Sequence, residues 1–232
     1  MTLALTVISS MATRLILAEL AGLYETRTGV AVEIRSMGGV EAARLVRAGE
    51  TVDMVVLAST VMAQLEAEGH LRPGSVRGFT RSGMAIAVRA GAEAPDIASE
   101  QAVRRAVLAA RRIGYSTGPS GDHLLALCAT WGVPGDSDRL VKAPPGTPVG
   151  KLLADGDSDL GFQQLSELIH APGVQVIGPL PPAIQAITVF SAGVSTRSEH
   201  PAETEALIAF LTSPEADAAK REQGMEPARE EA

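Results

Sequence analysis

At 232 residues the chain is long enough to bury a core as one domain or as two small lobes. Its 27 acidic and 20 basic residues give a net charge of −7, and with no basic block this balance argues against nucleic acid as a partner. Aromatic residues at 3% offer no stacking platform for bases or sugars, the single cysteine excludes an internal disulfide, and no apolar run reaches the length of a membrane span. An anionic ligand stays open, because a cleft is governed by its local groups.

Met1 stands directly before the first strand, with no basic n-region, apolar h-region or cleavage site. A cytoplasmic protein is expected if this is the native start, and a periplasmic one if a signal peptide was removed. The run Leu3-Ala4-Leu5-Thr6-Val7-Ile8 predicts the first strand. Ser9-Ser10-Met11-Ala12-Thr13-Arg14 turns it into a helix carrying Ile16, Leu20, Leu23 and Tyr24 on one face. The unpaired N–H groups of such a helix start suit an anion. A second strand is expected over 30–35, then Ser36-Met37-Gly38-Gly39 and a helix over 40–48 closed by Gly49. A third strand over 52–57 leads through Ala58-Ser59-Thr60 into a helix ending near Glu68. Three strands that each end in small or hydroxyl residues before a helix predict a parallel α/β sheet. Its turns lie along the carboxyl edge, where open α/β folds bind ligands.

Pro73-Gly74 breaks the pattern, and the extended stretch over 79–88 suits a strand that leaves one sheet for another. Ser99 then caps a helix reaching Arg111. Ile113-Gly114-Tyr115-Ser116 reads as a short strand, Thr117-Gly118-Pro119-Ser120-Gly121 as its turn, and 122–131 as a helix with Cys128 on its apolar face. A strand over 139–143, a proline-glycine turn with a helix to Ala154, and Leu160-Gly161-Phe162-Gln163-Gln164 running into a short helix repeat the logic of the first half. Residues 174–177 read as a strand, 179–182 as a polyproline-type link, and 187–194 as a second long crossing that partners 79–88. Helices over 201–211 and 214–223 follow, and the charged residues 229–232 are expected to fray.

This order of strands and turns, with two long crossings and C-terminal helices returning to the first lobe, resembles the periplasmic molybdate-binding protein family over residues 5–225. The resemblance implies a two-lobed α/β fold of the type II periplasmic-binding-protein kind, with two hinge strands and a ligand cleft between lobes. Lobe 1 would comprise 1–82 and 192–232, and lobe 2 residues 83–191. The family's first cleft loop is small and hydroxyl-rich like Ser9-Ser10; its later loops resemble Ser36 to Gly39, Ala58-Ser59 and Pro148-Val149. Two departures stand out. Where binders of molybdate carry a tyrosine, this chain has Gln164, and Arg14 and Arg81 add fixed positive charge. A guanidinium fork suits a planar carboxylate, each charge-assisted bond contributing about 1.5–3 kcal/mol, so the chain reads as a relative retuned for an organic polyacid. A second resemblance is to aconitate isomerase, which shares this fold and moves a double bond in an unsaturated tricarboxylate.

The expected ligand contacts are Ser9, Ser10, Arg14, Gly38, Gly39 and Ser59, with Arg81 at the crossing, and Thr117, Ser120, Gly121, Val149, Gln163 and Gln164 in the second half. Each also has a plainer reading: hydroxyls cap helices, glycines permit turns, and Arg14 pairs with Glu19 or Glu41. The 116–121 loop lacks the lysine and spacing of a nucleotide P-loop. No residue is assigned to catalysis; His123, Asp122 and Glu167 are the titratable groups nearest the loops. No cofactor is expected, and the histidines lack metal-ligand spacing. The expected function is capture of a small anion, an organic di- or tricarboxylate ahead of a molybdate-type oxyanion. The alternative is an aconitate-isomerase-like enzyme that shifts a double bond by 1,3 proton transfer. A transporter permease is an expected partner only if the chain is exported.

Overall fold

The computed structural model describes residues 3–228, so the expectation for 229–232 lies outside the described residues. Strand β1 (Ala4–Ser10), a 3-10 turn at Met11–Thr13, α1 (Arg14–Thr28), β2 (Ala31–Met37), α2 (Gly39–Arg47), β3 (Met54–Ala58) and α3 (Ser59–Ala67) alternate before the long β4 (Arg77–Arg89). A second series follows: α4 (Glu100–Ala109), β5 (Ile113–Tyr115), α5 (Pro119–Thr130), β6 (Leu140–Lys142), α6 (Val149–Asp155), β7 (Leu160–Gln164) and α7 (Leu165–Leu168). The chain closes with β8 (Val174–Pro179), a 3-10 turn at Pro182–Ile184, β9 (Ile187–Val194), α8 (Pro201–Leu211), a 3-10 turn at Pro214–Ala216, α9 (Asp217–Glu222) and β10 (Glu226–Pro227).

Packing divides the chain into two units. One holds the residues up to Arg81 and those from Val189 onward; the other is Ser82–Thr188. In the first, β2, β1 and β3 are parallel neighbours and β9 joins β3 antiparallel. β10 pairs antiparallel with the start of β4 at Thr80 and Arg81. The second unit repeats this order, with β6, β5 and β7 parallel and β4 antiparallel to β7; β8 adds to β4.

Each sheet is covered on both faces. In β1, Leu5 and Val7 pack with Ile16, Leu20, Met54 and Val56, while Ile8 joins Val46, Val55, Leu57 and Met62 on the other side. A strand buried on both faces reads as a continuous apolar run, which is why 3–8 and 52–57 carry no alternation. Leu5, Ile8, Val55 and Leu57 are fully buried, each contributing about 1.5–3 kcal/mol. In the second unit Met84, Ile86 and Val88 pack with Val103, Leu124, Cys128 and Trp131, while Ala85 and Ala87 face Leu153 and Leu168. Burial pushes the Cys128 thiol up to about 11, as expected of a packed core thiol.

The structure corrects several boundaries. β1 runs through Ser9 and Ser10, because these pair in register with Ser36 and Met37 of β2. α5 starts three residues early: Gly118 at φ +97° supplies the turn and Pro119 opens the helix, so Ser120 and Gly121 lie inside its first turn. The link over 179–182 is divided between the end of β8 and a 3-10 turn, and 214–223 is a 3-10 turn followed by α9.

Candidate functional site

In the first unit the parallel strands end side by side. Ser10 lies opposite Met37, and Ser9 lies opposite both Ser36 and Val56. A helical turn leaves each strand at once, so the starts of α1, α2 and α3 share this edge. None is capped by a side chain: Gly38 and Ala58, which precede α2 and α3, have no acceptor, and neither Ser10 before the 3-10 turn nor Thr13 before α1 makes a capping bond. By contrast Ser99 caps α4, accepting from the Ala102 N–H at 3.2 Å. The first N–H groups of a helix have no partner within it, so this edge gathers donors and positive helix-dipole ends.

The hydroxyls there are largely spent on one another. Ser9 and Ser36 share a hydrogen bond of 2.8 Å. Ser9 is fully buried and Ser36 half-buried, so only Ser36 can also reach a partner outside the pair. The Thr13 hydroxyl donates to the Ser10 carbonyl at 3.1 Å and lies 3.4 Å from the Ser10 hydroxyl. The Ser59 hydroxyl donates to the Val189 carbonyl at 3.1 Å, so at this helix start the N–H groups rather than the side chain remain available. Gly38 precedes α2 and Gly39 opens it; an added Cβ at Gly39 would meet nothing within 4 Å. Arg14, the first residue of α1, is exposed and makes no ion pair among the described residues. Its two sequence-suggested partners are taken: Glu19 accepts from Gln223 at 2.8 Å, and Glu41 holds both arms of Arg44 at 2.7 and 2.8 Å. That Arg44 hydrogen bond holds the Glu41 carboxyl below its usual range. Arg81 lies elsewhere, on β4 opposite Glu226 of β10.

In the second unit β5, β6 and β7 also end in a row. Ser116 and Ser120, both buried, share a hydrogen bond of 3.1 Å across the first turn of α5, and Thr117 is exposed between them. A Cβ at Gly121 would lie 1.8 Å from the Ser116 carbonyl oxygen, so the helix start can sit on this loop only with glycine there. At the neighbouring strand end the Val149 N–H is not free: it donates to Gln163 Oε1 at 2.8 Å, while Gln163 Nε2 donates to Glu167 at 2.6 Å. Gln163 thus clips β7 to the start of α6. Gln164 Nε2 donates to the Thr188 hydroxyl at 2.8 Å, and its Oε1 is buried without a hydrogen-bond partner among the described residues. Of the titratable groups near these loops, His123 Nε2 is held at 2.8 Å from the Ile184 carbonyl, and Asp122 is exposed in the first turn of α5.

The structure therefore gathers Ser9, Ser10, Arg14, Gly38, Gly39 and Ser59 along one edge, and Thr117, Ser120, Gly121, Val149, Gln163 and Gln164 along the matching edge of the other unit. Sequence reasoning named Ser36 only as part of the 36–39 loop, not as a contact, and did not name Thr188 or Ser191 as contacts. Ser36 had a signal, standing at the strand end just before Gly38-Gly39. Thr188 and Ser191 had none, because their partners are far away in sequence.

Two units that each lead three parallel strands into helix starts along one edge define a two-lobed α/β solute-binding protein. The chain belongs to the bacterial extracellular solute-binding protein family, whose model matches residues 5–226. It is 35% identical over 231 residues to an aconitate isomerase from Pseudomonas sp, a match covering 96% of this chain and 87% of that one. Among solved structures it is similar to the Azotobacter vinelandii periplasmic molybdate-binding protein, with a TM-score of 0.81 at 22% identity over 97% of this chain and 100% of that one. It is also similar to a sulfate-binding protein from Mycobacterium tuberculosis H37Rv, with a TM-score of 0.76 at 17% identity over 97% of this chain and 87% of that one. The resemblance drawn from the sequence is borne out in both family and fold. Among the described residues no helix is long and apolar enough to cross a membrane.

Proposed function

We propose that this protein captures a di- or tricarboxylate on donors of its carboxyl-edge loops. The observation that carries this reading is Arg14: an exposed guanidinium without an ion pair among the described residues, at the edge where three helix starts have no side-chain cap. Uncapped N–H groups serve any anion, whereas a guanidinium fork favours the planar carboxylate over a tetrahedral oxyanion. With this reading go export and a transporter permease as partner, in keeping with the family's description as extracellular.

A second reading, isomerisation of aconitate, is favoured by the 35% identity to an aconitate isomerase across 96% of the chain. A 1,3 proton shift needs a base and a stabiliser for the enolate-like charge. Arg14 and the helix starts supply the stabiliser. For the base this reading takes Glu167, whose carboxylate accepts from Gln163 at 2.6 Å.

Calorimetric titration with cis-aconitate and tricarballylate is expected to show binding at least about tenfold tighter than with molybdate. Proton NMR of the cis-aconitate mixture then separates the readings, since only an isomerase builds up the trans isomer. Tight molybdate binding without carboxylate binding would overturn both.

A further inference from the structure

Strand β9 belongs to both units, for the division falls between Thr188 and Val189. Each of these two residues is held by a side chain from a carboxyl-edge loop of its own unit. Gln164, the last residue of β7, donates from Nε2 to the Thr188 hydroxyl at 2.8 Å in a buried bond. Ser59, the first residue of α3, donates to the Val189 carbonyl at 3.1 Å. Having spent its one proton there, Ser59 accepts from the Ser191 hydroxyl, 2.6 Å away. Ser191 and Thr188 are themselves buried.

The far end of the Gln164 amide sharpens the point. Gln164 is 3% exposed, and its Oε1 has no hydrogen-bond partner among the described residues. A buried acceptor without a donor is costly, so a bound group or water that donates to Oε1 is favoured there. Its amide therefore has one end fastened to β9 and one end open.

We propose that Gln164 and Ser59 tether β9 to the two ligand edges, so that ligand occupancy is passed to the Thr188–Ser191 segment joining the units. A group that donates to Gln164 Oε1, directly or through a water, orders the amide and strengthens its bond to Thr188. An anion held on the first N–H groups of α3 fixes the turn that carries the Ser59 hydroxyl. Both are positioning roles, exerted on the strand. The ligand half of the proposal rests on the capture reading above; the tether itself does not.

Hydrogen exchange read by mass spectrometry on the full chain tests both halves. In the ligand-free protein, Ser59→Ala and Thr188→Val are each expected to speed exchange in the peptide covering 187–192 by about fivefold, the effect of one lost hydrogen bond, with the core peptide of β1 unchanged. Thr188→Val keeps the shape of the side chain, so it serves where Gln164→Met disturbs folding. In the wild type, saturating tricarballylate or cis-aconitate should slow exchange over both 187–192 and 116–121. In Gln164→Met or Thr188→Val the protection over 187–192 should fall to the part that Ser59 still carries, and in the double variant Ser59→Ala/Thr188→Val it should vanish, while that over 116–121 persists. Unchanged exchange over 187–192 in both ligand-free variants overturns the tether. Full ligand protection there in the variants overturns the coupling. If neither acid binds the wild type, the capture reading fails and the coupling with it, while the ligand-free comparison still decides the tether.

Discussion

At the scale of single residues, Gly39 and Gly121, two of the three glycines expected to contact ligand, have separate roles. A Cβ on Gly39 meets open space, whereas one on Gly121 would lie 1.8 Å from a carbonyl oxygen. Gly121→Ala must therefore displace the start of α5, and is expected to lower stability by about 1–3 kcal/mol in denaturant titrations. Gly39→Ala should leave stability unchanged or slightly raised. In the sequence both are a glycine beside a helix start; the distance to Ser116 arises from folding and is not written in either motif. Arg14 is the opposite case. Its position was legible one turn after Ser10, yet whether it was free depended on Gln223 and Arg44, which occupy the acids nearest to it in sequence.

Among the elements, strand and helix order was legible because each strand is either a solid apolar run or an abrupt change of period. What escaped was side-chain traffic between elements. Gln163 reads as a donor leaving a strand, but it is committed to Val149 and Glu167. Arg139 reads as a strand start, yet its guanidinium donates to the carbonyls of Val107, Leu108 and Ala110, closing the C-terminus of α4. Arg139→Ala is expected to cost about 1–3 kcal/mol, seen as a lower denaturation midpoint with unchanged slope.

Asp53 does comparable work at the approach to β3. It accepts from the Thr6 N–H and hydroxyl, each at 2.9 Å, and from the Ser198 hydroxyl at 2.7 Å. Burial pushes its carboxyl upward, but the bonds from Thr6 and Ser198, aided by the charge of His200, outweigh burial and hold it below the ordinary 3.8. A carboxyl depressed by folding adds stability that is present above its unfolded value and lost as pH falls through the folded one. Stability should thus decline below about pH 4, and Asp53→Asn should be weaker at neutral pH but lose less on acidification, as measured by denaturant titration at each pH.

At the scale of the whole molecule, the two units repeat one plan: three parallel strands, an antiparallel fourth, and helices that start beyond the carboxyl ends of the parallel strands. The plan was legible because three strand-turn-helix units recur in each half, and it brings the family with it. Ligand identity was less legible, since uncapped helix starts suit molybdate, sulfate or carboxylate alike. The distinction rests on Arg14. The most direct measurement is therefore a calorimetric comparison of wild type and Arg14→Ala, each titrated with tricarballylate and with molybdate. The account predicts that the substitution weakens tricarballylate by at least about tenfold, the loss of one charge-assisted contact, and molybdate by much less. Equal losses for the two anions, or none for either, would contradict it.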